Sequence, residues 1–187
     1  MSAGKLQQLL MEQSSEGGLA PASGPAALAP RVRQLRDYWE SKRRGRALPA
    51  RADIEPVEIK SLLPDLIIAD LFADPLRVRF RLAGTRVCDA FGFNIVGRWL
   101  EELNVTADIP FWVTQYERMM TTQAPVYGRT TGTHGGFELF RGNWAMFPLS
   151  SDGQRVDQCL EIEDWAKGSP TARFDDRTIT WRAVAFE

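Results

Sequence analysis

Between Leu66 and Gly97 the chain reads LIIADLFADPLRVRFRLAGTRVCDAFGFNIVG, and this stretch limits the possible folds more than any other. Leu66, Ile67, Ile68, Leu71 and Phe72 form an apolar, β-branched run that suits a strand buried on at least one face. Asp74 and Pro75 break it, because proline fixes φ and lacks an N–H while the aspartate side chain can close a turn on the backbone. The next segment alternates strictly, with Val78, Phe80 and Leu82 on one face and Arg77, Arg79 and Arg81 on the other, which predicts a strand with one dry and one wet side. Thr85 is the expected N-cap of a short helix that Val87, Ala90 and Phe91 hold against the dry side, and Gly92 supplies positive φ where that helix stops. A hairpin whose second arm runs into a helix over the same face makes a concave shelf.

The rest of the chain supplies what completes that shelf. Pro30 suits a first helical turn, and Val32, Leu35, Tyr38 and Trp39 recur at spacings of three and four, an aromatic stripe for the globule or for a partner's equivalent helix. Residues 52 to 64 hold a short helix candidate with Pro56 in its first turn. Ile109, Trp112, Val113, Tyr116, Met119 and Met120 define a longer helix to Thr122, ended before Pro125. Strand-prone segments follow from Pro125 to Thr133, Phe137 to Leu149 and Arg155 to Ile162. The third of these has Val156, Leu160 and Ile162 on its inward side, and Ser151-Asp152-Gly153-Gln154 is the hairpin signal before it. Two leading and three trailing strands most economically make one five-stranded antiparallel sheet with helices on one face, an α+β fold. A last strand-like piece, Thr178 to Val184, follows a Lys167-Gly168-Ser169-Pro170 loop and has no derivable place.

This order divides the chain into a flexible tail or linker (1–29), an N-terminal helical extension (30–65), the sheet-bearing domain (66–163) and a C-terminal extension (164–187). The tail is rich in Gly, Pro, Ala and Ser, and its Leu6, Leu9 and Leu10 are its only helical stripe. No apolar run approaches the roughly 20 residues of a membrane span, and no signal peptide is legible, so a cytoplasmic location is expected. Cys88 and Cys159 are too few for a disulfide framework and are expected as reduced thiols. Charge is uneven: residues 30 to 51 carry eight Arg or Lys against Asp37 and Glu40, although the whole chain has a net charge of −1. That basic segment can serve nucleic acid or an acidic partner, or pair with the acidic remainder of its own chain. No interleaved base-stacking aromatics accompany residues 31 to 46, which argues against nucleic acid.

LRDYWESKRRGRALPARADIEP, LLPDLIIADL, RFRLAGTRVCDAFGFNIVGRWLEEL, APVYGR and FPLSSDG together resemble the PAS domain family, in particular small stand-alone bacterial PAS proteins, over about residues 31 to 163. The resemblance implies a sensory and interaction module whose pocket lies between the inner sheet face and the helices. It also implies a homodimer through the helix before the first strand, here Val32, Leu35, Tyr38 and Trp39. Such modules usually regulate an attached output domain; the residues after Glu163 are too few for one, so a signalling protein in trans is the expected partner.

The chemistry legible in the residues is sparse. Haem needs an axial ligand, and His134, the sole histidine, falls in a glycine-bounded turn. Cys88 in TRVCDAF lacks the partners of a flavin-reactive cysteine and reads as a small core residue. No Cys/His cluster suggests a metal, no nucleophile arrangement surrounds His134, and no catalytic residue is assigned. The expectation is a non-enzymatic module with no resident cofactor and a small apolar or amphiphilic ligand bound by Phe80, Leu82, Phe91, Trp112, Tyr116, Trp144 and Met146. Buried Trp and Tyr need hydrogen-bond partners that a ligand can supply. Arg129 and Arg141 are candidate anion-facing residues. Two alternatives stay open: a structural adaptor in which those seven side chains only fill a core, and nucleic-acid binding through residues 31 to 46.

Overall fold

The computed structural model describes residues 28–103, 108–135, 137–165 and 180–186. Leu6, Leu9, Leu10 and the segment 167–170 lie outside them. The elements are helix α1 (Pro30–Arg43), strands β1 (Leu66–Phe72) and β2 (Arg77–Ala83), helices α2 (Thr85–Phe91) and α3 (Ile109–Thr122), then strands β3 (Val126–His134), β4 (Phe137–Leu149), β5 (Gln158–Trp165) and β6 (Thr180–Ala185). Short 3₁₀ turns at Arg51–Asp53, Pro56–Ile59 and Leu63–Asp65 carry the chain from α1 into β1, where the sequence suggested one short helix.

All strand pairs are antiparallel, in the order β2-β1-β5-β4-β3-β6. The five expected strands form one sheet, and the unplaced C-terminal piece adds a sixth along β3, from Gly128 opposite Ala185 to Thr133 opposite Thr180. Its pairing partner is remote in sequence, so local patterning had no means of naming it.

Helices α2 and α3 cover one face of the sheet and α1 covers the other. Parity along β4 shows this: Trp144 meets Trp112 of α3 with ring centroids 5.0 Å apart, while Phe147, three residues on, meets Trp39 of α1 at 5.9 Å. The stripe expected to reach a second protomer is therefore turned onto this chain's own sheet. Val32, Leu35 and Trp39 are buried there, Tyr38 packs beside them, and the Trp39 indole N–H donates to the Pro148 carbonyl at 2.9 Å. Leu28 belongs to the same core, so the ordered domain starts before α1.

The basic segment is largely paired within the chain. Asp65, itself buried, accepts from both Arg31 and Arg86; Lys42 pairs with Glu58, Arg43 with Glu40 at 2.8 Å and Arg46 with Asp53 at 2.6 Å. Arg33 and Arg51 cap backbone carbonyls of Leu28 and Ile54.

Two small corrections concern caps and cysteines. The N-cap of α2 is Gly84, one residue before Thr85, because the carbonyls of Leu63 and Pro64 occupy the space a Cβ would need. Cys88 is half-buried at the edge of the core, whereas Cys159 is fully buried with its thiol 3.5 Å from the Met119 sulfur. Gly92 closes α2 in the left-handed region, as its position suggested.

Glycine makes the inner face possible at Gly128. This residue pairs with Trp144, whose indole lies across the strand where a Cβ would project, beside the Val184 carbonyl. A Gly128→Ala variant is expected to lose about 2–3 kcal/mol of stability through overpacking. Urea unfolding followed by far-UV circular dichroism checks this; an unchanged midpoint would show that Trp144 has another place to go.

Candidate functional site

Between the inner sheet face and the two helices lies a cavity of about 310 Å³. Its wall draws on every surrounding element: Ile67 of β1, Phe80 of β2, Phe91 of α2, Leu100 and Leu103 of the following turn, Asp108, Ile109, Phe111, Trp112 and Tyr116 of α3 and its cap, Thr130 of β3, Glu161 and Glu163 of β5, and Trp181, Arg182 and Ala183 of β6. Four of the seven side chains expected at a ligand, Phe80, Phe91, Trp112 and Tyr116, are in this wall. Leu82, Trp144 and Met146 are not. Leu82 is packed at the margin of the core, Met146 is buried within it, and Trp144 stands behind the wall against Trp112 and Phe111.

The wall is placed by local sequence. Pro110 and the Asp108 cap, whose side chain accepts the Phe111 N–H at 3.2 Å, start α3 at the cavity mouth. The 3.6-residue repeat then brings Trp112 and Tyr116 onto one side, one turn apart. On the sheet, Thr130 pairs with Ala183 of β6, and these two small neighbouring residues leave the volume open.

The polar groups come from a strand whose chemistry the alternation hid. Leu160 and Ile162 face α1, so Cys159, Glu161 and Glu163 face α3, and residues 159–163 are all buried. Tyr116 donates its hydroxyl to Glu161 Oε1 at 2.6 Å. Trp165 lies across Gly142, its Cδ1 2.6 Å from where a Cβ would sit, and donates its indole N–H to Glu163 Oε2 at 3.2 Å. Among the described residues, neither carboxyl is within ion-pair distance of a Lys or Arg. The Thr130 hydroxyl, buried at 4% exposure, has no hydrogen-bond partner among the described residues.

Burial without a counter-charge decides the protonation of this pair. Desolvation pushes Glu161 up to about 7 and Glu163 up to about 8; the Tyr116 and Trp165 hydrogen bonds pull back only part of that, and the two glutamates oppose each other's ionisation. The same burial, followed by the charge of Glu161, drives the Tyr116 hydroxyl and the Cys159 thiol well above their ordinary values, so both stay protonated.

The other candidate residues stand elsewhere. His134 ends β3. The Arg129 guanidinium lies 5.9 Å from the Phe186 ring centroid, and Arg141 pairs with Glu138 at 2.7 Å. Among the described residues no three His, Cys, Asp or Glu side chains come together as metal ligands, and no helix is long and apolar enough to cross a membrane.

Stability should therefore fall as pH rises. In the unfolded chain both carboxyls ionise near the ordinary value of 4.5, while in the folded chain they hold their protons to about 7 and about 8. Between these limits the folded state binds more protons, so each carboxyl lowers unfolding free energy by on the order of 1.4 kcal/mol per pH unit. Denaturant unfolding from pH 5 to 8.5 is expected to show this decline, and a Glu161→Gln, Glu163→Gln double variant to flatten it. A wild-type profile that rises over that window would refute the assignment.

The cavity lies on the concave face of a single antiparallel sheet, bounded by short helices inserted between the second and third strands, the arrangement the sequence resemblance implied. No curated protein matches the chain. The family described as PAS domain matches residues 28–161, which takes in α1, the whole leading hairpin, α2, α3, β3, β4 and the first half of β5. With most of its length inside that match and its sheet and helices in the corresponding order, the chain belongs to the PAS domain family.

Proposed function

We propose that this chain is a sensory module that takes a small molecule into the cavity between its sheet and α2 and α3 and reports occupancy through contact with another protein. PAS domains are in general sensory and regulatory, non-catalytic modules. The observation that carries the finer reading is the composition of the cavity wall. A volume of about 310 Å³ falls at the lower end of the range that holds small ligands, and it is walled by aromatic rings with a few convergent polar groups. Among the described residues the buried Thr130 hydroxyl has no partner, which a core serving only to pack would be expected to avoid. These features favour the sensor over the adaptor with a filled core.

For the protein partner, Phe137 is 76% exposed at the start of β4, with Leu139 also exposed on β4 and Val184 on the edge strand β6, and they offer apolar surface. The α1 stripe is unsuitable for that purpose because it is buried against the sheet. Internal pairing of the basic segment likewise weighs against the nucleic-acid alternative.

Native mass spectrometry of the full chain purified from its own host tests the reading. A discrete added mass is expected on the wild type and is expected to vanish in Ala183→Phe, which fills the β6 side of the cavity, while the unfolding midpoint stays close to wild type. A bare protein mass for the wild type at non-denaturing energies would remove ligand sensing and leave the adaptor.

A further inference from the structure

We infer that the ligand this cavity selects is an organic cation, an aromatic or alkyl amine whose ammonium group sits against Glu163 and Glu161. This rests on the reading above that the cavity takes a small molecule, and adds the chemistry it recognises. Three observations converge. The polar wall is acid-rich: Glu161, Glu163 and Asp108 supply three carboxyls, against Arg182 as the single basic residue of the wall. Glu161 already accepts from both Tyr116 and Cys159, whereas Glu163 accepts from Trp165 through one oxygen, so acceptor capacity remains on the other oxygen of Glu163, to which no donor among the described residues is assigned. The remaining wall is aromatic, and ring faces attract cations, most strongly once water is excluded. Thr130, buried in the same wall and unpartnered among the described residues, adds a hydroxyl that can accept one further ammonium hydrogen.

An anionic ligand meets the opposite conditions. It would lie against two carboxyls and the rings' negative faces, with Arg182 on the edge strand as its only cation. A neutral apolar ligand would fill the volume and leave the carboxyls as they are. An ammonium ion instead supplies the missing counter-charge and donates two or three charge-assisted hydrogen bonds.

Proton bookkeeping follows from the geometry. In the empty cavity the carboxyls hold their protons because nothing offsets a buried negative charge. When R–NH₃⁺ enters, a carboxyl gives its proton to the buffer and becomes the carboxylate that pairs with it, so binding releases protons. The groups facing the pair are Tyr116 from α3 and Cys159 on β5 itself; Arg182 of β6 borders the cavity with an exposed side chain of opposite parity to Trp181 and Ala183. Asp108 is at the mouth, and Asp65, held by Arg31 and Arg86, lies behind Glu163. The two glutamates are raised by burial to about 7 and about 8.

Three probes sharing one skeleton test the inference on the full chain: 3-phenylpropylamine, 3-phenylpropanol and 3-phenylpropionate, titrated by ligand-observed NMR and by calorimetry in two buffers of different ionisation enthalpy. At pH 8 the amine is expected to bind at least about tenfold tighter than the alcohol, the scale of one charge-assisted hydrogen bond, with the propionate weakest. Amine affinity should rise from pH 6 to 8, with proton release seen as a buffer-dependent heat. The preference over the alcohol should be lost in Glu163→Gln. Glu161→Gln serves as the second variant if the first does not fold. An alcohol or propionate that binds as tightly as the amine, or an amine preference untouched by both variants, overturns the cation assignment and leaves a ligand cavity standing. Failure of all three probes to bind the wild type overturns both readings.

Discussion

Strand β5 lies between β1 and β4 and beneath helices on both sides, so its side chains from Cys159 to Glu163 have no water to face. Most of what distinguishes this molecule follows from that constraint. A strand in such a place is ordinarily apolar throughout. Here one face obeys, with Leu160 and Ile162 against α1, and the other carries two glutamates. Each is tolerable because a neighbour meets it: Tyr116 from α3 for Glu161, and Trp165 two residues along for Glu163. Neither neighbour brings a positive charge, so each carboxyl has a hydrogen-bond donor while remaining unsatisfied as an ion.

The aromatic residues are arranged around that compromise. Gly142 is the device that lets Trp165 lie over β4 and hold its N–H at Glu163, and Gly128 does the same for Trp144 behind the α3 wall. Phe140 then stacks between Trp165 and Trp181 at 5.9 and 5.1 Å, joining β4, β5 and β6 on the side where the cavity lies. The cavity is thus a consequence of pairing large rings with glycines. Where a ring lies over a glycine, at Gly128 and Gly142, it stiffens the sheet, and where small residues adjoin one another, at Thr130 and Ala183, no side chain reaches into the volume.

Much of this was readable from the chain itself. The strict alternation from Arg77 to Leu82 and the 3.6-residue repeat from Ile109 to Thr122 are strong because each element has one wet face, so burial writes a period into the sequence. Phe80, Phe91, Trp112 and Tyr116 were placed at the cavity for the same reason. The period misleads where a strand has no wet face. On β5 the polar positions alternate with Leu160 and Ile162 as solvent-facing residues would, and Glu161 and Glu163 were passed over as the wet side. The missed signal was Cys159, which shares their parity and is rarely a surface residue. Likewise, α1 has a sound apolar stripe, but a stripe reports that something covers it and not whether the cover is the same chain. The position of β6 was beyond reach, since its register is set by β3, about fifty residues away.

The polar groups of the cavity wall are also the ones that weaken the empty fold. Two protonated carboxyls in a buried wall contribute little to cohesion, and a threonine hydroxyl without a partner subtracts from it. The sheet tolerates them because stability is held elsewhere: Trp39 and Phe147 on the opposite face, the Asp65 ion pairs linking α1 to α2, and a continuous core from Leu28 to Ile162. A domain built only to pack would gain from replacing Glu161 and Glu163 with leucine or valine, since apolar replacements of buried polar groups are often neutral or stabilising. Retaining acids there is intelligible when the cavity is at times occupied by something that needs them. An occupant that ionises the pair would bind to the folded chain alone, and so would stabilise the fold through the residues that leave it weakest when empty.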